Sequence, residues 1–146
     1  MMIEINIADA LDVDDLSYIE TSCFSAPWSR NSIEEALNDS NYLFIKLVCD
    51  GKTIGYGGIM TVLDESDIVN IAVLSEHRGK GYGKMLLARL ESEAKKRKSV
   101  LLHLEVRQSN RTAIGLYEGF GFEIDGLRKN YYTKPLENAV LMTKKI

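Results

Sequence analysis

Three places in this chain of 146 residues carry side chains whose types and spacing could do chemistry. The first is the run R-G-K-G-Y-G at residues 78 to 83. Three glycines let a backbone approach a ligand closely and adopt positive φ. If a helix follows, its first N–H groups have no intrahelical partner and the positive end of its dipole points into the turn. Arg78, Lys80 and Lys84 add positive charge. This is the chemistry of a phosphate cradle. The second place is Glu105 in the apolar run V-L-L-H-L-E-V. Partial burial would poise such a carboxylate as a general base, although a residue that reaches water from a strand end would look the same. The third is Tyr117, whose phenol could give a proton to a leaving group. By periodicity alone it falls on the apolar stripe of a helix and reads as a core aromatic.

The spacing of the glycine turn limits its ligand. A Walker A loop requires Gly at 78 and Ser or Thr at 85, where the chain has Arg78 and Met85. A dinucleotide turn requires G-x-G-x-x-G, whereas the chain has G-x-G-x-G with a hairpin before the strand. The cations at Lys95–Lys98 belong to the last turn of the following helix, where they complement its dipole and face water.

Regular elements must position these groups. Met2–Ile7 alternates as a strand. Asp9 is a candidate cap for a helix carrying Leu11, Leu16 and Ile19. After Pro27 and Trp28, Ser29 opens a second helix with Ile33, Ala36 and Leu37 on one face. Tyr42–Cys49 and Thr53–Val62 read as strands around the turn Asp50-Gly51-Lys52, a hairpin signal. Asp67–Leu74 is a strand, Gly83–Lys98 a helix with Leu86, Leu87, Leu90 and Ala94 inward, and Val100–Val106 a strand. Glu91/Lys95 and Glu93/Arg97 are spaced for i,i+4 pairing. Asn110 precedes a helix bearing Ala113, Leu116, Tyr117 and Phe120 that ends at Gly119 and Gly121. Phe122–Asp125 and Ala139–Thr143 are the last strands. Strand, glycine turn, helix and strand over Asp67–Val106 make a right-handed parallel crossover. Together with the antiparallel hairpin this predicts an α/β (α+β) domain with a mixed sheet, one domain over 1–146.

Composition excludes several classes. Hydrophobic residues make up 45% and charged residues 27%, so the chain can bury a core. A net charge of −3 argues against direct nucleic-acid binding but permits a basic peptide or an amine as partner. Cys23 and Cys49 have no metal-ligand spacing, so no metal is expected; each reads as a buried free thiol in a reducing compartment. No apolar run approaches membrane-spanning length, and the N-terminus reads as a strand rather than a signal peptide, making the cytoplasm the expected location.

R-G-K-G-Y-G matches the (Q/R)-x-x-G-x-(G/A) motif of the Gcn5-related N-acetyltransferases, and the likeness extends over most of the chain. The chain more closely resembles the bacterial ribosomal-protein-alanine N-acetyltransferase family. The segments that carry this are A-P-W-S at 26–29, V-L-D-E at 62–65, N-I-A-V at 70–73, L-E-V-R at 104–107, L-Y-E-G-F-G-F at 116–122 and K-N-Y-Y at 129–132. The resemblance implies the Gcn5-related N-acetyltransferase fold, a mixed central sheet whose parallel strands splay apart between flanking helices. It implies acetyl-CoA in that gap. Ile71, Ala72 and Val73 would pair with the pantetheine arm, Arg78, Gly79, Lys80, Gly81, Tyr82, Gly83 and Lys84 would hold the pyrophosphate, and Asn110 would contact the cofactor further along. It assigns proton acceptance to Glu105 and proton donation to the thiolate to Tyr117. Neither Cys23 nor Cys49 sits in a nucleophile setting, so direct transfer is expected rather than an acetyl-cysteine.

The resemblance also implies an acceptor, the N-terminal alanine of a small-subunit ribosomal protein, flanked by Trp28, Tyr131, Tyr132 and Glu137. An α-amine titrates near about 7.7–8.0 and lysine near about 10.4, so a lone carboxylate base suits the former. Each substrate residue also has a plain structural reading: Trp28 between helices, the tyrosines on a strand edge, and Asp64, Glu65 and Glu137 as solvated surface. The chain departs from its relatives at His103, where larger apolar residues are common. Gly115 stands where alanine is more usual, at a cost of up to about 1 kcal/mol. Glu137-Asn138 stands where an acid pair is common. A same-fold enzyme acting on small amines or lysine side chains is the alternative, and a silent acyl-CoA-binding module the second. Oligomeric state is not legible.

Overall fold

The computed structural model describes residues 1–146. Seven strands form one sheet in the order β1-β2-β3-β4-β5-β7-β6. They are β1 (Ile3–Ile7), β2 (Tyr42–Cys49), β3 (Lys52–Val62), β4 (Glu65–Val73), β5 (Leu101–Arg107), β6 (Glu123–Thr133) and β7 (Leu136–Lys145). Four helices, α1 (Val13–Cys23), α2 (Arg30–Leu37), α3 (Tyr82–Lys96) and α4 (Arg111–Gly119), connect and cover them. No helix is long and apolar enough to cross a membrane.

The expected hairpin and crossover are both present, so the sheet is mixed. β2 and β3 pair antiparallel, with Cys49 opposite Lys52. Only Asp50 and Gly51 lie in the loop, at φ 48° and 82°. Positive φ at both central residues suits a two-residue turn that matches strand twist, so Lys52 belongs to the strand and not to the turn. α3 carries the crossover and buries Leu86, Leu87, Leu90 and Ala94 completely. Its face of the sheet is fitted closely, since a Cβ on Gly57 would stand 2.9 Å from Leu90. Tyr56, one residue earlier and therefore on the opposite face, reaches Glu20 of α1.

Three expectations need correction. Asp9 does not cap α1: it accepts from the Leu11 N–H while Asp12 accepts from the Asp9 N–H, closing a single 3₁₀ turn. Leu11 is consequently 93% exposed, and the helix begins at Val13. Glu93 pairs with Arg89 and Lys96, because Arg97 is drawn away to the carbonyls of Ser40, Asn41 and Tyr42. Finally, β6 runs on to Thr133 and joins β7 through a tight turn, with Thr133 opposite Leu136. Its side chains are almost all exposed, so the strand shows no alternation that sequence could reveal.

Two irregularities shape the centre. β4 and β5 pair in parallel only from Glu65–Asp67 against Leu101–His103. Beyond that point β5 pairs only with β7, and the strands diverge. A bulge in β4 accompanies the divergence: Gly58 faces Asn70 and Ile59 faces Ile68, which leaves Val69 extra. In β6 the register jumps between Arg128 and Tyr132, with Asn130 at φ 54° and its N–H donating to Asn138.

Candidate active site

The divergence of β4 from β5 opens a cleft of about 930 Å³. Small-ligand sites run to about 1,000 Å³, so this one has room for two reactants to meet. β4 and β5 form its floor, the segment after α1 and the start of α4 form walls, and β6 and β7 close the other side. Seven of the residues singled out from sequence converge here: Trp28, Ile71, Glu105, Asn110, Tyr117, Tyr131 and Tyr132.

Glu105 projects from β5 with its side chain 33% exposed, and Arg128 of β6 lies 3.3 Å from its carboxylate. Tyr131 lies beside it, and the interaction with this carboxylate, more than burial, raises the Tyr131 pKa. The Arg128 guanidinium in turn sits 5.2 Å from the centre of the Tyr131 ring. Glu105 is therefore held by a cation, with a phenol beside it, rather than stranded among apolar side chains. Asp67, on the same floor, has its pKa raised by burial first, with Glu105 and Glu65 adding to the effect against the His103 charge.

Tyr117 stands on the inner stripe of α4, its ring edge-on to Phe122 at 5.9 Å. Burial alone pushes its phenol up to about 12. Tyr132 is likewise pushed up to about 12, by burial and then by Glu105. Adjacent residues of a regular strand point to opposite faces. The β6 irregularity breaks that rule, so Tyr131 and Tyr132 both line the cleft, with ring centres 5.0 Å apart. Arg107 of β5 covers the Tyr132 ring at 4.4 Å.

The glycine turn follows the C-terminal end of β4. Gly79 and Gly81 have φ of 77° and 82°, and no neighbour would contact a Cβ at either. Conformation, not crowding, therefore demands glycine there. The first α-helical bond runs from the Met85 N–H to the Gly81 carbonyl. The N–H groups of Tyr82, Gly83 and Lys84 thus precede the helical ladder, as a bound phosphate requires. Lys80 and Lys84 are exposed beside them.

Not every residue singled out faces a ligand. The Tyr82 ring is 7% exposed and belongs to the core. Ala72 and Val73 are buried too, leaving their backbone as the part that could meet a cofactor. The Arg78 guanidinium is turned back, with Nε 2.8 Å from the Val73 carbonyl and Nη2 3.5 Å from the Cys23 sulfur. Asn110 spends its side-chain oxygen capping α4 at the Ala113 N–H. Glu137 lies outside the cleft, where it accepts from the Ser109 N–H and pairs with Arg107. The Ser109 hydrogen bonds lower its pKa, and its work is to clamp the connection from β5 to α4. Of the cysteines, Cys49 is buried and Cys23 is half-buried on the cleft wall; both are free.

One polar group of the cleft wall went unread in the sequence. Glu20 is 2% exposed and reaches the cleft wall. Its signal was available, since Val13, Leu16 and Glu20 fall on one helical stripe and the glutamate must point inward with them. His103 lies between Glu65 at 2.6 Å and Thr143 at 2.8 Å, and Thr143 bonds Asp125, forming a row across β4, β5, β7 and β6.

A mixed sheet split between two parallel strands, a glycine turn at the mouth of the split, and a carboxylate and a phenol inside it define an acyl-transfer class of protein. Residues 13–122 match the model of the acetyltransferase (GNAT) family, and the chain belongs to that family. It is 40% identical over 137 residues to the ribosomal protein bS18-alanine N-acetyltransferase of Haemophilus influenzae, spanning 92% of each chain. It is 36% identical over 142 residues to the Escherichia coli K12 protein of the same name, covering 94% of this chain and 95% of that one. The crystal structure of the Escherichia coli ribosomal-protein-S18-alanine N-acetyltransferase superposes with a TM-score of 0.93 at 35% identity, covering 99% of this chain and 94% of the other. Ard1 from Thermoplasma volcanium, at 22% identity and a TM-score of 0.91, shares the fold.

Proposed function

We propose that this protein transfers the acetyl group of acetyl-CoA to the α-amine of an N-terminal alanine, with ribosomal protein bS18 as the acceptor. The observation that carries this reading is the cleft itself. Its Glu105 and Tyr117 line one space between diverging strands, in a chain that matches bS18-alanine acetyltransferases nearly end to end. Acetyl-CoA supplies an activated acetyl thioester. The backbone N–H groups of the turn and of the start of α3, with Lys80 and Lys84, suit its pyrophosphate. The edge of β4 at Ile71–Val73, unpaired with β5 and with only the Val73 carbonyl taken by Arg78, suits the pantetheine amides, and its N–H groups can polarise the thioester carbonyl.

The chain's own residues then divide the proton work. Glu105, held by Arg128 with Tyr131 beside it, accepts the proton of the attacking amine. Tyr117 carries the proton that the departing sulfur requires. Trp28, Tyr131 and Tyr132 flank the acceptor; Glu137 supports the connection behind them. Near pH 7.5 roughly a third of an α-amine is already neutral, so one carboxylate suffices without a stronger base.

The test is an assay with acetyl-CoA and a synthetic peptide of the bS18 N-terminus. Mass spectrometry should find one acetyl group on the alanine amine, with matching thiol release and none from a peptide blocked at that amine. Turnover on lysine side chains or small amines in its place would overturn the acceptor assignment while leaving acetyl transfer standing.

A further inference from the structure

Glu20 is the most completely buried acid of the molecule, yet no cation meets it. Its Oε2 accepts from the Trp28 backbone N–H at 2.9 Å. Its Oε1 accepts from the Tyr56 hydroxyl and from the Asn70 side-chain amide, the latter at 2.9 Å. The three donors come from three places: the segment between α1 and α2, β3 and β4. A buried carboxylate is tolerated only when its lone pairs are filled in this way. A wholly apolar cluster in place of the carboxylate and its side-chain donors would often be as stable or more so, so stability alone does not account for a polar cluster here. Its effect is geometric, since it ties the backbone at Trp28 to the floor of the cleft. Trp28 and the residues from Phe24 to Ala26 form the wall opposite β6.

We infer that Glu20 is a positioning residue for the acceptor: by holding the Trp28 N–H it fixes the wall against which the incoming peptide lies. The inference rests on the acceptor reading proposed above. It separates acceptor from cofactor, because Asn70 also donates to the Tyr56 hydroxyl at 3.0 Å and keeps β4 in place without Glu20.

Trp28 is the only tryptophan, so its emission reports on this wall in the free protein without any turnover. In Glu20→Met, which keeps the volume and removes the acceptors, the emission moves to longer wavelength and acrylamide quenches it more strongly. The acceptor KM rises about tenfold, as expected for a lost hydrogen bond to a charged group, while the acetyl-CoA KM stays within about twofold. Glu20→Gln keeps emission and acceptor KM close to wild type, because its oxygen still accepts from the Trp28 N–H; its amide takes the place of Oε1 and donates to the Tyr56 hydroxyl once the Asn70 side-chain amide has turned its oxygen toward it. Tyr56→Phe leaves the Trp28 bond intact and the emission unchanged. The inference is overturned by wild-type emission and acceptor KM in Glu20→Met, by equal damage in Glu20→Gln, by a Tyr56→Phe that reproduces Glu20→Met, or by acceptor and acetyl-CoA KM rising together. Should Glu20→Met fail to fold, amide exchange in the wild-type protein decides: Trp28 exchanges more slowly than Ser25 and Ala26, and equal rates refute the anchor. A wild-type protein that does not acetylate the peptide refutes the acceptor reading, whereas the emission and exchange results stand by themselves.

Discussion

Tyr117 sets the proton problem most sharply. Burial pushes its phenol up to about 12, whereas a free thiol titrates near about 8.5. Full transfer to a solvated thiolate would be uphill by about 5 kcal/mol. On the role proposed for Tyr117, the transfer has to occur while the sulfur is still in the cleft, where burial raises the thiol as well. Tyr117→Phe is expected to lower kcat by about 10²-fold or more with little change in the acetyl-CoA KM, measured by steady-state thiol release. The sign of the pH dependence follows. The phenol is active when protonated, so its contribution is complete below its pKa and disappears only above about 12. The rate should rise through the α-amine range near about 7.7–8.0 and then stay level to about pH 10. A fall between pH 9 and 10 would mean that another group supplies the proton. Glu105→Gln should slow transfer by about 10²–10⁴-fold while keeping the rising limb, which belongs to the amine; near-normal rates would remove Glu105 from the chemistry. Both residues could be singled out from sequence because each sits in a short, distinctive string. Arg128 could not, since its partnership with Glu105 depends on β6 lying two strands away across β7.

Elements differ in legibility for a physical reason. Buried helices and strands announce themselves by period, and β2 and α3 were read within two residues of their ends. The glycine turn was legible because positive φ at Gly79 and Gly81 restricts residue type. The outer half of β6 carries no such mark, being an exposed edge strand with two register jumps. Yet it is this irregular strand that turns both Tyr131 and Tyr132 into the cleft. The two elements make opposite predictions. Gly81→Ala places a side chain at φ 82°, which costs roughly 1–2 kcal/mol. It should raise the acetyl-CoA KM about tenfold while leaving the acceptor KM in place. Tyr132→Ala removes a ring held between Arg107 and Tyr131. It should raise the acceptor KM and spare the acetyl-CoA KM. Two-substrate kinetics on each variant checks the division, and a Gly81→Ala protein with unchanged acetyl-CoA KM would detach the turn from the cofactor.

Across the whole molecule, the sheet is two pieces with a narrow join. β1 to β4 form one antiparallel group and β5 to β7 the other, and only the three residue pairs from Glu65–Asp67 to Leu101–His103 connect them within the sheet. Lesser ties link the two groups: Glu91 of α3 pairs with Lys144 of β7, and the Ser25 hydroxyl donates to the Lys134 carbonyl across the cleft. The splay was expected from the family resemblance alone, because it depends on where pairing stops, which no residue pattern states. A ligand seated between β4 and β5 would replace the missing ladder and bind both groups at once. Ligand at 100 times its Kd stabilises the native state by about 2.7 kcal/mol. For a chain of this size that corresponds to a rise in Tm of roughly 5–10 °C. Thermal unfolding with saturating CoA or acetyl-CoA should show this shift, and the acceptor peptide alone, which on the proposed reading lies against Trp28, Tyr131 and Tyr132 without replacing the ladder, should give a smaller one. A peptide that stabilises as strongly as CoA would mean that the acceptor, not the cofactor, fills the gap between the two groups.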